Sequence, residues 1–522
     1  MGRSKGHSLG EEPRIFLNAL DDLVNNDDQF VEEYLAEHGY SSIEIGNKTS
    51  AFVKKLIEEK SVKSAKENKK RWTHKSVVQF MEENNDDDPI ELIKEKSRKM
   101  VLDAFSRGWS GPPFDLVELA KLNGLSINPL ESVVDARIVP VTDNQFKIEY
   151  NPFQSPARIN FSIAHEIGHT FFSDCSETIR YRERKLEDDS WELEFLCNVA
   201  AAELLLPYAE FSNEANEVDL DLNNLLSLAR KYKASVESVF LRFCEVVDKP
   251  CAIAIASFRS GNELKIDYHK SSSLSNLKLK RDQLIPSSSV AYECINPRET
   301  RHKMESWEAF DGKKQRVYAV GLSPIKKQTT SRVGLFFVPD VYDKTPTNSI
   351  YIVNGDATQP RAKGVKIIAQ VINTSGALGY GFGRAMSTKY PHSKKAVQDW
   401  KKDRISFRLG GAQLVKLQDD LYVYQMIAQE GIKAKFGSVP LKYGVLREGL
   451  IGLCHEAKAL SASVHMPAIG AGQAKGSWNV IKGMIYDELV CKDVQTTIYL
   501  LPGTNMKPNQ SRTLTLFKED EK

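Results

Sequence analysis

The chain is 522 residues long, 41% hydrophobic and 27% charged, which predicts about three or four globular domains with ample core. Its formal net charge of +2 gives no bulk attraction to nucleic acid, and no apolar run approaches the ~18 residues of a membrane span. Met1 to His7 lead into acidic sequence without an apolar stretch, unlike a signal peptide, and the seven dispersed cysteines lack a CxxC pair, which predicts reduced, buried thiols in a cytoplasmic protein.

In chain order, residues 1–88 read as a charged helical region. Phe16, Leu20, Leu23, Phe30 and Tyr34 recur at helical spacing. Glu11 to Glu37 is mostly acidic and Lys48 to Lys75 mostly basic, and Lys54, Lys55, Lys63, Lys66, Lys69, Lys70 and Arg71 suit either a solvated face or an acidic partner such as nucleic acid. Asn84 to Pro89 breaks the pattern. A helix is expected from Pro89 to about Arg107, then a short one from Phe114 to Leu122 with Gly124 at its C-terminal cap. Ile138 to Val141 and Phe146 to Tyr150 read as strands.

The stretch Asn160 to Phe171 contains His165-Glu166-Ile167-Gly168-His169. On a helix, histidines four apart project from one face and reach one metal ion. Glu166 then sits beside that metal, placed to take a proton from water. The rest of the segment is apolar, and a core helix has little use for two imidazoles and a carboxylate unless something pairs them. A catalytic Zn2+ needs a third protein ligand. The next helix, Trp191 to Pro207, offers Glu194 on a face shared with Asn198 and Ala201. Glu203 is the reserve, Glu192 points elsewhere, and Cys197 reads as a small buried thiol. Ala200, Ala201 and Ala202 permit close packing on the first helix. In zinc proteases with this motif the strand before the helix commonly forms an edge for an extended peptide, which makes residues 145–150 the expected docking edge.

Gly108-Trp109, Tyr150-Asn151-Pro152, Arg158 to His169, and Cys197-Asn198 followed by Ala201 to Pro207 together resemble the ImmA/IrrE family of zinc metallopeptidases over roughly 100–250. The resemblance implies an α+β thermolysin-like core and a repressor or stress regulator as the cleaved protein. It also implies a glutamate shortly before the asparagine of the second helix as third ligand. Many members carry Glu both two and four residues before that Asn. Here the nearer position is Leu196, which leaves Glu194.

Asp219 to Val246 reads helix, short turn, helix, resembling the helix-turn-helix segment that follows the peptidase core in this family. Its second helix offers only Glu237 and, beyond its start, Arg242, so packing is favoured over reading DNA. Cys251 to about Tyr342 is β-rich, at the position of a sensor-like region in that family.

Farther on, the strand Lys366 to Asn373 opens into a glycine-rich loop, Gly376 to Gly383, that enters a helix. The strand Ser463 to Pro467 opens into a second, Ile469 to Gly476. Backbone amides at such loops cradle phosphates, and two of them at strand ends imply closure on one polyphosphate at the carboxyl edge of a sheet. With Asn354-Gly355-Asp356, Ala369 to Asn373, Tyr424 to Gln429 and His465 to Gly472, residues 345–502 resemble a macro domain, an ADP-ribose-binding α/β/α fold. The resemblance implies that Asp356 accepts a hydrogen bond from the adenine amino group. Asn373, Gly379, Gly381 and Gly383 would follow the distal ribose and phosphates, and Gly470, Gly472 and Gln473 the diphosphate. Where glutamate-deacylating members carry an Asp, this chain has Ala474, which argues against that hydrolase mechanism. His392 and Asp399 are the remaining acid/base candidates and read as surface-helix residues.

The expected organisation is a charged N-terminal region (1–88), a zinc metallopeptidase core (89–214), a helix-turn-helix-like segment (215–248), a β-rich sensor-like region (249–344) and a macro domain (345–522). The expected function is zinc-dependent cleavage of a regulatory protein, targeted or gated by ADP-ribose or an ADP-ribosylated protein. An ADP-ribose-processing hydrolase with a regulatory zinc module, and a non-enzymatic regulator, are the alternatives.

Overall fold

The structure is a computed structural model that describes residues 72–501 apart from 143–144, 177–179, 182–190, 260–261, 311–312, 324–330, 341–349 and 432–437. The charged region up to Arg71, with its basic stretch, lies outside the described residues. The chain divides into two compact units. Met1–Arg98, Ser110–Pro207 and Glu214–Lys344 form one; Lys99–Trp109, Tyr208–Asn213 and Thr345–Lys522 form the other. Among the described residues no helix is long and apolar enough to cross a membrane.

The expected break after Asn84 separates α1 (Lys75–Asn84) from α2 (Pro89–Ser106). Asn85 takes the left-handed conformation there, and Asp88 accepts hydrogen bonds from the Ile90 and Glu91 amides. In α3 (Leu116–Leu122) Asp115 caps the start, and Gly124, at φ +79°, follows the end. Next come β1 (Ser126–Pro129), β2 (Ala136–Thr142), β3 (Gln145–Tyr150), α4 (Pro156–His169), β4 (Arg180–Tyr181) and α5 (Trp191–Leu205). Ser155 caps α4 by accepting from the Arg158 amide, and Pro156 sits in its first turn. A buried ion pair between Arg158 and Asp135 ties the same turn to the chain just before β2.

The first sheet has the order β1-β3-β2-β4, and this corrects the expected docking edge. Residues 145–150 are interior: β1 pairs parallel with β3 from Ser126↔Lys147 to Pro129↔Tyr150, while β2 takes the other side. A parallel partner supplied by a distant four-residue segment leaves no periodic signal in β3 itself.

Then follow α6 (Tyr208–Glu217), α7 (Leu222–Tyr232) and α8 (Val236–Val246). The helix-turn-helix shape is present, with Lys233 left-handed between α7 and α8. Its second helix does not face outward. Phe240 and Phe243 are buried, Glu237 is paired with Arg332, and Arg242 with Glu203. A helix that reads DNA needs such side chains exposed, so α8 is a packing helix. The strands β5 (Ala252–Phe258), β6 (Leu264–Ser271), β7 (Thr300–Glu305), β8 (Gln315–Leu322) and β9 (Arg332–Pro339) form an antiparallel sheet of order β6-β5-β9-β8-β7. It closes over a core containing Trp307, Phe310 and Phe337.

The second unit holds β10 (Tyr351–Asn354), β11 (Lys366–Asn373), α9 (Gly381–Lys389), α10 (Pro391–Trp400), β12 (Ala412–Gln418), β13 (Leu421–Gln429), α11 (Tyr443–Ala459), β14 (Ser463–Pro467), α12 (Trp478–Glu488) and β15 (Thr496–Leu500). Its sheet order is β10-β15-β14-β11-β13-β12, parallel except for the β12–β13 pair. Each parallel strand is rich in Ile, Val, Met or Ala, as strands covered on both faces require.

Candidate metal centre and glycine loops

Two helices build the first site. Gly168 lets them meet: a Cβ there would lie 3.0 Å from Ala200 Cβ and 3.1 Å from Cys197 Cα. At that approach Glu194, Cys197 and Asn198 of α5 reach the histidines of α4. Glu194 Oε2 is 3.0 Å from His165 Nε2, and its Oε1 is 3.6 Å from His169 Nε2. The opposite ring nitrogens are engaged separately, His165 Nδ1 at 2.8 Å from Asn198 Oδ1 and His169 Nδ1 at 3.2 Å from Cys197 Sγ. Both histidines and Glu166 are buried.

The three groups named from the sequence therefore come together. Two Nε2 lone pairs and one carboxylate converge on a common point, a donor set that suits zinc. His165, His169 and Cys197 also form a cluster whose ligand atoms lie within 4.8 Å of one another. The sulfur lies at the far nitrogen of His169, on the ring edge turned away from Glu194. Glu203, the reserve, is placed elsewhere. Its carboxylate receives both Arg242 Nη1 (2.8 Å) and Nη2 (2.7 Å). Glu192 does point away, accepting from the Thr73 and His74 amides at 2.8 and 2.7 Å. Asn198 was legible only as a neighbour on Glu194's face; its i+4 spacing from Glu194 was the signal for its contact with His165.

In the second unit β10, β11 and β14 run parallel within one sheet, so Asp356 and both glycine loops leave from the same carboxyl edge. Gly376 has φ +68° above Phe407, while nothing lies within 4 Å of a Cβ on Gly379 or Gly381. Gly383 abuts Leu378. In the second loop Gly470 has φ +72° over Leu441 and Ile481, the Gly476 amide donates to Gly470 O, and Gly472 is open. Gln473 is exposed and Ala474 buried. Asn373 Oδ1 accepts from the Ser375 and Ala377 amides, so its side chain shapes the first loop. Asp356 accepts from Thr358 N and Oγ1 at 2.9 and 2.8 Å. Partial burial pushes its carboxyl up, but those bonds, Gln359 and Lys389 outweigh it and hold it below the usual carboxylate range. His392 and Asp399 are exposed on α10, with Asp399 paired to Lys402.

Residues 141–243 match the family model of the IrrE N-terminal-like domain, Peptidase_M78, a metallopeptidase family. A macrodomain protein of Streptomyces coelicolor is 36% identical over 29% of this chain and 99% of its own, with a TM-score of 0.27. A protein of Bacteroides thetaiotaomicron is 38% identical over 29% of this chain and 99% of its own, TM-score 0.28. DarTG of Thermosipho africanus, solved with ADP-ribose, is 15% identical over 49% of this chain and 71% of its own, TM-score 0.22. No curated protein matches. The chain is thus similar to the Peptidase_M78 family over residues 141–243 and to a macrodomain protein over 29% of its length.

Proposed function

We propose that this chain is a zinc-dependent HExxH metallopeptidase that cleaves a regulatory protein, and that its macrodomain binds ADP-ribose or an ADP-ribosylated substrate to target or gate the cleavage. The convergence of His165 Nε2, His169 Nε2 and the Glu194 carboxylate is the observation that carries the peptidase reading. Zinc held by these three residues would supply a Lewis acid that polarises the scissile carbonyl and lowers the pKa of water to about 7. Glu166, one residue along α4 from the first ligand, accepts the proton of the attacking water and returns it to the leaving amine. The helix pair excludes bulk solvent from both imidazoles, which strengthens every charge interaction there.

ADP-ribose binding is supported by the three features on one sheet edge: the ionised Asp356 and two glycine loops with open space at Gly379, Gly381 and Gly472. The mostly buried thiols support a cytoplasmic setting. The test is co-expression of wild type and Glu166→Gln with candidate regulators. A fragment formed only with wild type, while both proteins retain zinc, is the expected result; normal cleavage by Glu166→Gln would refute the mechanism. Calorimetry with ADP-ribose, and cleavage with and without it, tests the gating. No binding together with unchanged cleavage would remove the macrodomain from the scheme.

A further inference from the structure

We propose that Cys197 and Asn198 are positioning residues that set the tautomers of the two histidines, Cys197 holding His169 and Asn198 holding His165. The proposal rests on the metallopeptidase reading, since it concerns which ring nitrogen is free to hold a metal. Neutral imidazole carries one proton, and the nitrogen without it is the ligand. If Nε2 is to be the ligand beside the Glu194 carboxylate, each Nδ1 must carry the proton and donate it. Asn198 Oδ1 receives it from His165 at 2.8 Å, and Cys197 Sγ receives it from His169 at 3.2 Å.

The arrangement follows from helix geometry. Adjacent helical residues point about 100° apart, so Cys197 and Asn198 straddle the two rings, whose centroids lie 5.0 Å apart at 75°. Glu194 precedes them by one turn. One short stretch of α5 thus provides the carboxylate and both acceptors. A cysteine suits the tighter position, because Cys197 Cα and O are each 3.1 Å from where a Cβ on Gly168 would sit. A short side chain with a large, polarisable acceptor spans the remaining gap to His169. Cys197 is fully buried, so no water replaces the sulfur, and its removal would leave the Nδ1 proton without an acceptor in the core.

A merely packed thiol predicts a different result from a positioning one, and nitrogen-labelled histidine separates them. Long-range proton–nitrogen NMR of the zinc-loaded full chain reads which nitrogen of each ring keeps its proton. His169 and His165 are expected protonated at Nδ1. Cys197→Val removes the acceptor and fills its place with an apolar side chain. It should move His169 toward the Nε2-protonated form, leave His165 as it is, and weaken zinc about 10–100-fold in chelator competition. Cys197→Ser should restore most of both, and Asn198→Leu should shift His165 instead. Cys197→Val with His169 still protonated at Nδ1 and wild-type zinc affinity would overturn the proposal. A wild type that takes up no zinc would instead sink the metallopeptidase reading, a result distinct from wild-type zinc affinity in Cys197→Val.

Discussion

Gly168→Ala adds one methyl group at the contact that brings the two metal-site helices together. The new Cβ would lie 3.0 Å from Ala200 Cβ and 3.1 Å from both Cys197 Cα and O. These contacts are tighter than ordinary van der Waals separation, so α4 and α5 must part by a few tenths of an ångström. Two of those three atoms are backbone, so no flexible side chain can swing aside. Overpacking of this kind costs about 1–3 kcal/mol. It works against the gain of about 1 kcal/mol that alanine brings to a helix interior over glycine. The same displacement carries Glu194, Cys197 and Asn198 away from the histidines, whereas metal–ligand distances hold to about ±0.2 Å. Gly168→Ala is therefore expected to lower Tm and to weaken zinc binding together, read by thermal unfolding and chelator competition. A variant with a raised Tm and wild-type zinc affinity would show that the close approach does not govern the site.

Three further expectations follow. Arg242→Met leaves the buried Glu203 only the longer contact to Arg98 at 3.5 Å and should destabilise by up to about 3–5 kcal/mol, with Glu203→Leu added to it recovering much of the loss in denaturant unfolding. Burial, helped by Lys366, lowers the pKa of His465 from 6.5 to about 4. The unfolded chain then takes up a proton that the folded chain refuses, so stability is full above that window and falls on acidification through it, by up to about 1.4 kcal/mol per pH unit. His465→Asn should flatten the dependence measured by urea unfolding, and an unchanged slope would assign it to other groups. Asp356→Ala removes an acceptor worth about 1.5–3 kcal/mol to a ligand N–H, so ADP-ribose affinity measured by calorimetry should fall about tenfold or more; equal affinity would place the adenine elsewhere.

Elements with strong local signals were legible in the sequence. The α2 helix, the break at Asn85, α4 and α5, and the two strand–glycine–helix units all follow from periodicity and cap chemistry. The position of Glu194 beside both histidines also follows, because Glu194 and Asn198 share a helical face. Features that depend on partners far away were not legible. The four-residue β1 takes the outer side of β3, and nothing in Gln145 to Tyr150 announces a parallel neighbour. Arg242 was legible only as one of two charged residues on the second helix; its partner, Glu203, lies thirty-nine residues earlier. Asn373, named for a ligand, also accepts from the amides of the loop that follows it. For β3 and Arg242 the residue types were read correctly and the long-range partner decided the role.

The buried charges of α8 also fix where this polypeptide can be divided. The Peptidase_M78 match ends at residue 243, which invites a cut soon afterwards. Such a cut would remove Arg332 and Tyr268, the two groups that donate to Glu237. It would also strip Phe336 from Phe240 and Phe243, whose ring centroids lie 6.3 and 6.1 Å from it. The truncated piece would keep both metal-site helices and every proposed ligand, yet present a carboxylate and two phenylalanines to water along one side. It would be prone to self-association for reasons unrelated to its chemistry. A workable fragment of the peptidase has to run through Pro339, carrying the antiparallel sheet as part of the same folding unit.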